Sequence, residues 1–250
     1  LLLVGTLLLL IAVLIFGITV PGSYAKRWLL IASSFTIQPS EIAKITTTIY
    51  LASVLSKKGE KLFDLKKGLF PPLIVLLLIS VLILVEPDSG TALLFAMVGF
   101  SIFSYAGIPT KNLIISAIFL LLLFTIFIFN VPYMKSRVNA YFDPQNQSEE
   151  DIYQTRRAKL AFNYGGISGI PDENILEVST HLPAALTDFI FASVSQRYGL
   201  IGDAIILLLF FSFTIRGFII SSRIKDLFLK NISFGITIFI SLQAYLNIMV

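Results

Sequence analysis

LLLVGTLLLLIAVLIFGITV, residues Leu1–Val20, carries no charged side chain. At about 1.5 Å of rise per residue it is long enough to cross a hydrocarbon core of ~30 Å. That reading makes the chain an integral membrane protein. Composition agrees: 56% of residues are hydrophobic and 14% charged, mean hydropathy is +0.87, and soluble domains carry roughly 25% charged residues. The run has no initiator Met, no basic flank and no small-residue cleavage site, so it reads as a span and not as a signal peptide. The chain closes at Val250 inside another apolar run and is expected to be an internal piece of a longer membrane protein.

Outward from this span, Pro21-Gly22-Ser23 ends it, and a connection to Phe35 holds Lys26, Arg27 and Trp28, an aromatic beside two cations as at a membrane interface. Further spans are expected at about Ile37–Ser56, Leu69–Val85, Ala92–Ala106, Asn112–Phe129, Tyr198–Ile220 and Ile232–Val250. The second is unusual. Gln38, Glu41 and Lys44 recur at i, i+3 and i+6 in its first turns, roughly on one helix face. Intramembrane charge is costly and usually faces a bundle interior or a wet cavity. Two readings follow, a polar cavity wall or a Glu41–Lys44 pair that satisfies itself. Between the third and fourth spans, Glu86-Pro87-Asp88-Ser89-Gly90-Thr91 reads as a tight acidic turn. Asp88 there either caps the next helix or, with Glu86, meets substrate or metal.

The net charge of +4 does not point to nucleic acid, because the cations lie in short clusters between apolar runs. Cysteine is absent and His181 is the one histidine, which leaves no disulfide framework and no ordinary zinc set. In the short connections Lys57, Lys58, Lys61, Lys66, Lys67, Lys111, Arg216, Arg223, Lys225 and Lys230 fall on one side, and Lys26 and Arg27 on the other. The lysine-rich side is expected to be cytoplasmic. The turn at Glu86 and the long polar loop, residues 130–187, then face outward.

That loop carries Arg137 and ends at Leu182-Pro183-Ala184-Ala185-Leu186-Thr187-Asp188, where polar sequence turns apolar again. A loop of this length is usually functional or disordered. Within it Tyr153–Tyr164 reads as a short amphipathic helix broken by Gly165-Gly166 and Gly169. Asp188 sits where partial desolvation and neighbouring charge favour proton transfer, or else it starts a helix with Thr187. From Asp188 to Val194 the chain is apolar but too short to span, and Gln196-Arg197 interrupts it, so Asp188 is expected on a re-entrant or surface helix.

Several stretches together resemble the SEDS (shape, elongation, division and sporulation) family, the RodA, FtsW and SpoVE proteins. They are Lys26-Arg27-Trp28, Gln38-Pro39-Ser40-Glu41-Ile42-Ala43-Lys44, Pro87-Asp88-Ser89-Gly90-Thr91-Ala92, Arg137-Val138 with Asp143-Pro144, Tyr153-Gln154, Gly165-Gly166, Leu182-Pro183 and Thr187-Asp188-Phe189-Ile190-Phe191-Ala192. The resemblance runs through essentially the whole chain, in the family's order. It implies an all-α polytopic membrane protein with about seven transmembrane helices of a ten-helix bundle, a single membrane domain over residues 1–250. It also implies a peptidoglycan glycosyltransferase of the bacterial cytoplasmic membrane, polymerising lipid II on the outer face beside a class B penicillin-binding protein. Asp188 matches the family's proposed catalytic residue.

In such a reaction a sugar hydroxyl attacks an anomeric carbon while a pyrophosphate leaves, so a base helps at one end and cations at the other. Asp188 is the candidate base. Arg27, Lys44, Arg137 or a bound Mg²⁺ or Mn²⁺ are candidates at the pyrophosphate, and Gln38, Glu41 and Thr187 complete the expected substrate-binding set. No organic cofactor is expected. Ala184, Leu186, Gln196, Arg197 and Ser89 depart from the family's usual residues, which implies altered surroundings for Asp188. Two other functions remain open from the sequence: a lipid II flippase, since polar residues within a bundle also line transport paths, and a silent scaffold for a penicillin-binding protein.

Overall fold

The computed structural model describes residues 1–19, 25–32, 35–130, 160–170 and 190–249. The elements in order are α1 (Leu2–Phe16), β1 (Leu29–Ala32), β2 (Phe35–Ile37), α2 (Pro39–Ser56), a 3₁₀ turn (Gly59–Phe63), a π-helical turn (Leu65–Leu69), α3 (Phe70–Val85), α4 (Ser89–Tyr105), α5 (Thr110–Asn130), α6 (Ile190–Arg223) and α7 (Leu227–Met249). Each expected span finds its helix. Leu65–Val85, Ile190–Arg223 and Leu227–Met249 are long and apolar enough to cross a membrane. α1 and α4 are apolar but shorter; α1 ends where Gly17 turns extended at φ −61, ψ 142. The protein is a polytopic, mainly helical membrane protein.

The connection after α1 is not a plain loop. β1 and β2 pair antiparallel, with Leu29 opposite Ile37 and Leu30 opposite Thr36, and an isolated bridge joins Ile18 to Trp28. This hairpin lets the chain cross between helices with its backbone groups paired, which a membrane interface favours. It delivers the chain directly into Pro39 at the start of α2, where a missing N–H costs nothing.

The chain divides into two compact units. One comprises Leu1–Leu122 and Thr214–Leu242. Its core is built by Leu10 and Val13 of α1, Leu51 and Leu55 of α2, Leu76 and Ile79 of α3 and Phe95, Ile102 and Phe103 of α4, all at most 1 to 2% exposed. Glycines set the closest approaches. A Cβ on Gly99 would collide with Leu76 of α3, one on Gly235 of α7 with Thr48 of α2, and one on Gly217 of α6 with Thr237 of α7. Small residues at such crossings replace the hydrophobic drive that lipid cannot supply, and interhelical hydroxyl bonds add to it. Thr6 bonds Thr46 at 3.0 Å, Tyr105 bonds Ser221 at 2.9 Å, and Thr214 bonds Ser241 at 2.7 Å.

The other unit comprises Leu123–Phe213 and Gln243–Val250. Its organising feature is a break in α6 at Gly199, whose φ of 64 and ψ of −164 are non-helical. The segment at 160–170, helical to 165 and then turning, fills the break. Gly166 and Ile167 carbonyls accept from the N–H groups of Leu200 and Ile201 at 3.0 and 3.3 Å, and Ile170 donates to the Gln196 carbonyl at 3.0 Å. Two N–H groups and one carbonyl beside the break are thereby satisfied within protein, as the bilayer requires.

Candidate functional site

The polar residues of the first unit gather at one end. Arg27, just before β1, reaches the turn between α3 and α4: its Nε donates to the Glu86 carbonyl at 3.2 Å, its Nη2 to the Pro87 carbonyl, and its Nη1 stands 3.6 Å from the Asp88 carboxylate. Asp88 in turn caps α4, accepting from the Thr91 N–H at 3.1 Å. The capping reading of Asp88 is therefore what the turn shows, and the guanidinium that the sequence offered as a pyrophosphate contact is engaged in holding that turn.

Glu86 behaves differently. It is 2% exposed and neither carboxylate oxygen has a hydrogen-bond partner. Burial pushes its pKa from 4.5 to about 8, the Asp88 charge adds to the rise, and Arg27 opposes it. At neutral pH it is mainly a neutral acid. Sequence reasoning weighed Glu86 only as part of an acidic turn and missed this burial. The one available signal was its place directly after the apolar run of α3.

On α2, Lys44 is 9% exposed and its Nζ reaches the Glu41 carboxylate at 2.6 Å, while the Glu41 side chain stands 54% exposed. Gln38 is the half-buried N-cap position and makes no side-chain capping bond. The three do not form one uniformly buried wall. Lys44 instead runs its stem through the packed face and carries its charge to Glu41 at the rim, as long cationic side chains do. Beneath them Ser40 and Thr47 are buried with hydroxyls that lack hydrogen-bond partners. Since β2 leads into α2 and Arg27 clasps the α3–α4 turn, all of these groups share one end of the unit.

Asp188, Thr187 and Arg137 lie outside the described residues, as does most of the loop at 130–187. Ala184 and Leu186 lie outside them too. Just beyond, Gln196 is 2% exposed with Nε2 unpartnered, and Asp203 accepts from the Ser195 hydroxyl at 2.8 Å through one oxygen while the other has no partner. Arg197 is exposed, 5.6 Å from the ring centre of Tyr198. Of the two departures at this point, then, one is packed inward and the other faces out.

Arg27 stands beside the Asp88 carboxylate, and among the described residues no group of three His, Cys, Asp or Glu side chains gathers; most acids of the loop at 130–187 lie outside them.

The chain is 34% identical over 245 residues to the probable peptidoglycan glycosyltransferase FtsW of Wigglesworthia glossinidia brevipalpis, covering 97% of this chain and 64% of that protein. It is 32% identical over 245 residues to the probable peptidoglycan glycosyltransferase FtsW of Geobacter metallireducens, covering 98% and 65%. The chain thus spans less than two thirds of the length of these relatives. Among solved structures, a peptidoglycan synthase complex that coordinates polymerization and crosslinking superposes with a TM-score of 0.75 at 24% identity, over 100% of this chain and 70% of that one. The rod shape determining protein RodA of Thermus thermophilus superposes with a TM-score of 0.64 at 21% identity, over 98% of this chain and 62% of that one. These two likenesses concern the fold. The family profile described as cell cycle protein, which unites FtsW, RodA and SpoVE, matches residues 1–250, and the chain belongs to that family.

Proposed function

We propose that this chain is part of a peptidoglycan glycosyltransferase that polymerises lipid II at the outer face of the bacterial cytoplasmic membrane, in company with a class B penicillin-binding protein. The observation that carries the reading is the polar end of the first unit. The Arg27–Asp88 clasp with Glu86 and the Lys44–Glu41 pair both lie at the end of α2 opposite its lysine-rich exit, about 27 Å away for an 18-residue helix. Relatives of the same family named as peptidoglycan glycosyltransferases support it.

The chemistry assigned is one displacement. The acceptor sugar hydroxyl forms a bond to the anomeric carbon, the bond from that carbon to the pyrophosphate oxygen breaks, and the hydroxyl proton passes to the Asp188 carboxylate. Lys44 is the candidate cation for the leaving pyrophosphate, with Glu41 orienting its ammonium. Arg27 is a positioning residue, because its guanidinium fixes the α3–α4 turn. Thr187, Arg137 and Gln38 remain candidate substrate contacts. Mg²⁺ or Mn²⁺ enters only as a counter-ion carried by the pyrophosphate, with no step assigned to it.

The test uses the full-length protein purified with its penicillin-binding partner and supplied with lipid II. Asp188→Asn is expected to abolish glycan strands, and Lys44→Gln to lower the rate by about 10²-fold, the scale of removing one charged stabiliser. Strand synthesis unchanged in Asp188→Asn would sink the assignment. Lipid II crossing protein-containing vesicles without strand formation would replace it with transport.

A further inference from the structure

The opposite end of the first unit carries charge that the proposed reaction does not use. Lys57, Lys61, Lys66 and Lys67 stand exposed around the two short turns between α2 and α3, Lys111 lies in the first turn of α5, and Lys230 in the first turn of α7. The Asn112 side chain donates to the Phe63 carbonyl at 3.2 Å and ties α5 to the same surface. Of the acids at this end, Asp64 accepts from the N–H groups of Lys66 and Lys67, and Asp226 from that of Leu229. Crowding is evident at Lys58, whose pKa is lowered first by burial and then by the charge of Lys61.

An excess of lysine at one membrane face is ordinary, but it does not require a recess. Here a cavity of about 70 Å³ opens between the end of α2, the Gly59–Phe63 turn, the end of α4 and the start of α7. Ser56, Lys230 and Asn231 supply its polar lining, and Leu55, Leu62 and Leu227 its apolar walls. Lys230 is held in place: its Nζ lies 5.2 Å from the ring centre of Tyr105, and that ring is fixed by stacking on Phe234 at 3.9 Å and by its hydroxyl bond to Ser221. At about 10–15 Å³ of such space per water, the recess has room for several waters or for one compact anionic group. Phe63, Leu227 and Leu229, 67, 54 and 52% exposed, flank it with apolar surface at the membrane boundary.

We propose that this recess binds the phosphate of an anionic phospholipid. Lys230 is the direct charge partner, Ser56 and Asn231 are hydrogen-bonding neighbours, and the lysines of the 57–67 turns supply the surrounding field. Basic recesses between transmembrane helices bind headgroups in this manner, and the exposed apolar flank gives the acyl chains a surface. An occupant here would pin the ends of α2, α4 and α7 to one another and stabilise the folded bundle. The inference rests on this surface alone and is independent of the catalytic reading.

The full-length protein in detergent, without its partner, provides the test, read by native mass spectrometry for bound lipid and by thermal unfolding. Phosphatidylglycerol is expected to be retained in preference to phosphatidylcholine and to raise Tm. Lys230→Gln is expected to weaken phosphatidylglycerol by about fivefold, the effect of one cation at a charged surface, and Lys230→Arg to retain the preference. Lys66→Gln, which touches only the field, is expected to weaken binding at low salt and not at high salt. Equal retention of the two lipids by the wild type, or an undiminished preference in Lys230→Gln, overturns the proposal. So does full stabilisation by inorganic phosphate with nothing added by phosphatidylglycerol, which would mark a site for free anions. Should Lys230→Gln fail to fold, the wild-type comparison and Lys230→Arg still decide.

Discussion

Glu86 and Asp88 are the same chemistry two residues apart, and the fold gives them opposite duties. Asp88 has a donor in the Thr91 N–H and a cation in Arg27. Glu86 has neither at its carboxylate, and its pKa stands at about 8. A carboxyl raised in the folded state holds a proton that the unfolded chain releases near 4.5, so its contribution to stability is intact below that pH and is lost as pH rises through about 8. Glu86→Gln keeps the shape and removes the titration. The variant is expected to show a flatter dependence of Tm on pH between about 5 and 8 and to unfold at a higher temperature than the parent above pH ~8. An unchanged slope would mean that Glu86 meets water in the membrane. At Asp88, Asp88→Asn is expected to preserve most of the cap, whereas Asp88→Ala loses about 1 kcal/mol of it, measured by the same unfolding. The cap was legible in the sequence because its signal is local, an Asp three residues before Thr91 at the start of an apolar run. The burial of Glu86 was not, because it depends on which side of the α3 exit faces the packed helices, and that is set by residues such as Arg27 some 59 positions away.

Among the elements, α6 shows how a polar interruption is carried by a membrane helix. The sequence pattern placed a discontinuity at Gln196-Arg197, and the backbone break falls at Gly199. A glycine is needed there on two grounds: φ 64 with ψ −164 lies in a region almost reserved for glycine, and a Cβ would meet the backbone of Ile167 and Gly169. Gly199→Ala is expected to cost about 1–3 kcal/mol from the backbone conformation alone, with further loss from the collision. Thermal unfolding would report it. Protease sensitivity is expected to rise in the 160–170 segment that fills the break, since its bonds to Gln196, Leu200 and Ile201 depend on that geometry. A variant as stable and as protected as the parent would show that α6 can run straight. The β1–β2 hairpin was illegible for a related reason. Its strands have four and three residues, too few for alternation to appear against an apolar background. The long helices, by contrast, were fixed by run length and by the turn residues between them, a signal that needs no tertiary contact.

For the whole molecule, the arrangement of charge makes a claim about orientation that the helices by themselves do not. The lysine-rich turns at the end of α2 and the Arg27–Asp88 clasp near its start belong to opposite ends of the first unit, because α2 runs between them through its packed core. If the surplus of cations marks the cytoplasm, the clasp and the Glu41–Lys44 pair face outward, where no nucleotide is supplied. The absence of cysteine makes this directly testable, since any single introduced thiol is unique in this chain. Gly90→Cys is suitable for one end, because the residue is exposed at the first turn of α4 and a Cβ there meets nothing within 4 Å. Lys61→Cys, exposed in the Gly59–Phe63 turn, serves the other. With a membrane-impermeant maleimide on intact bacterial spheroplasts, the thiol at position 90 is expected to label at once and the thiol at position 61 only after permeabilisation. The reverse pattern would place the clasp in the cytoplasm and remove the outer-face reaction. Labelling of both from outside would mean that the two ends do not lie on opposite faces, and the spanning assignment of α2 would fall.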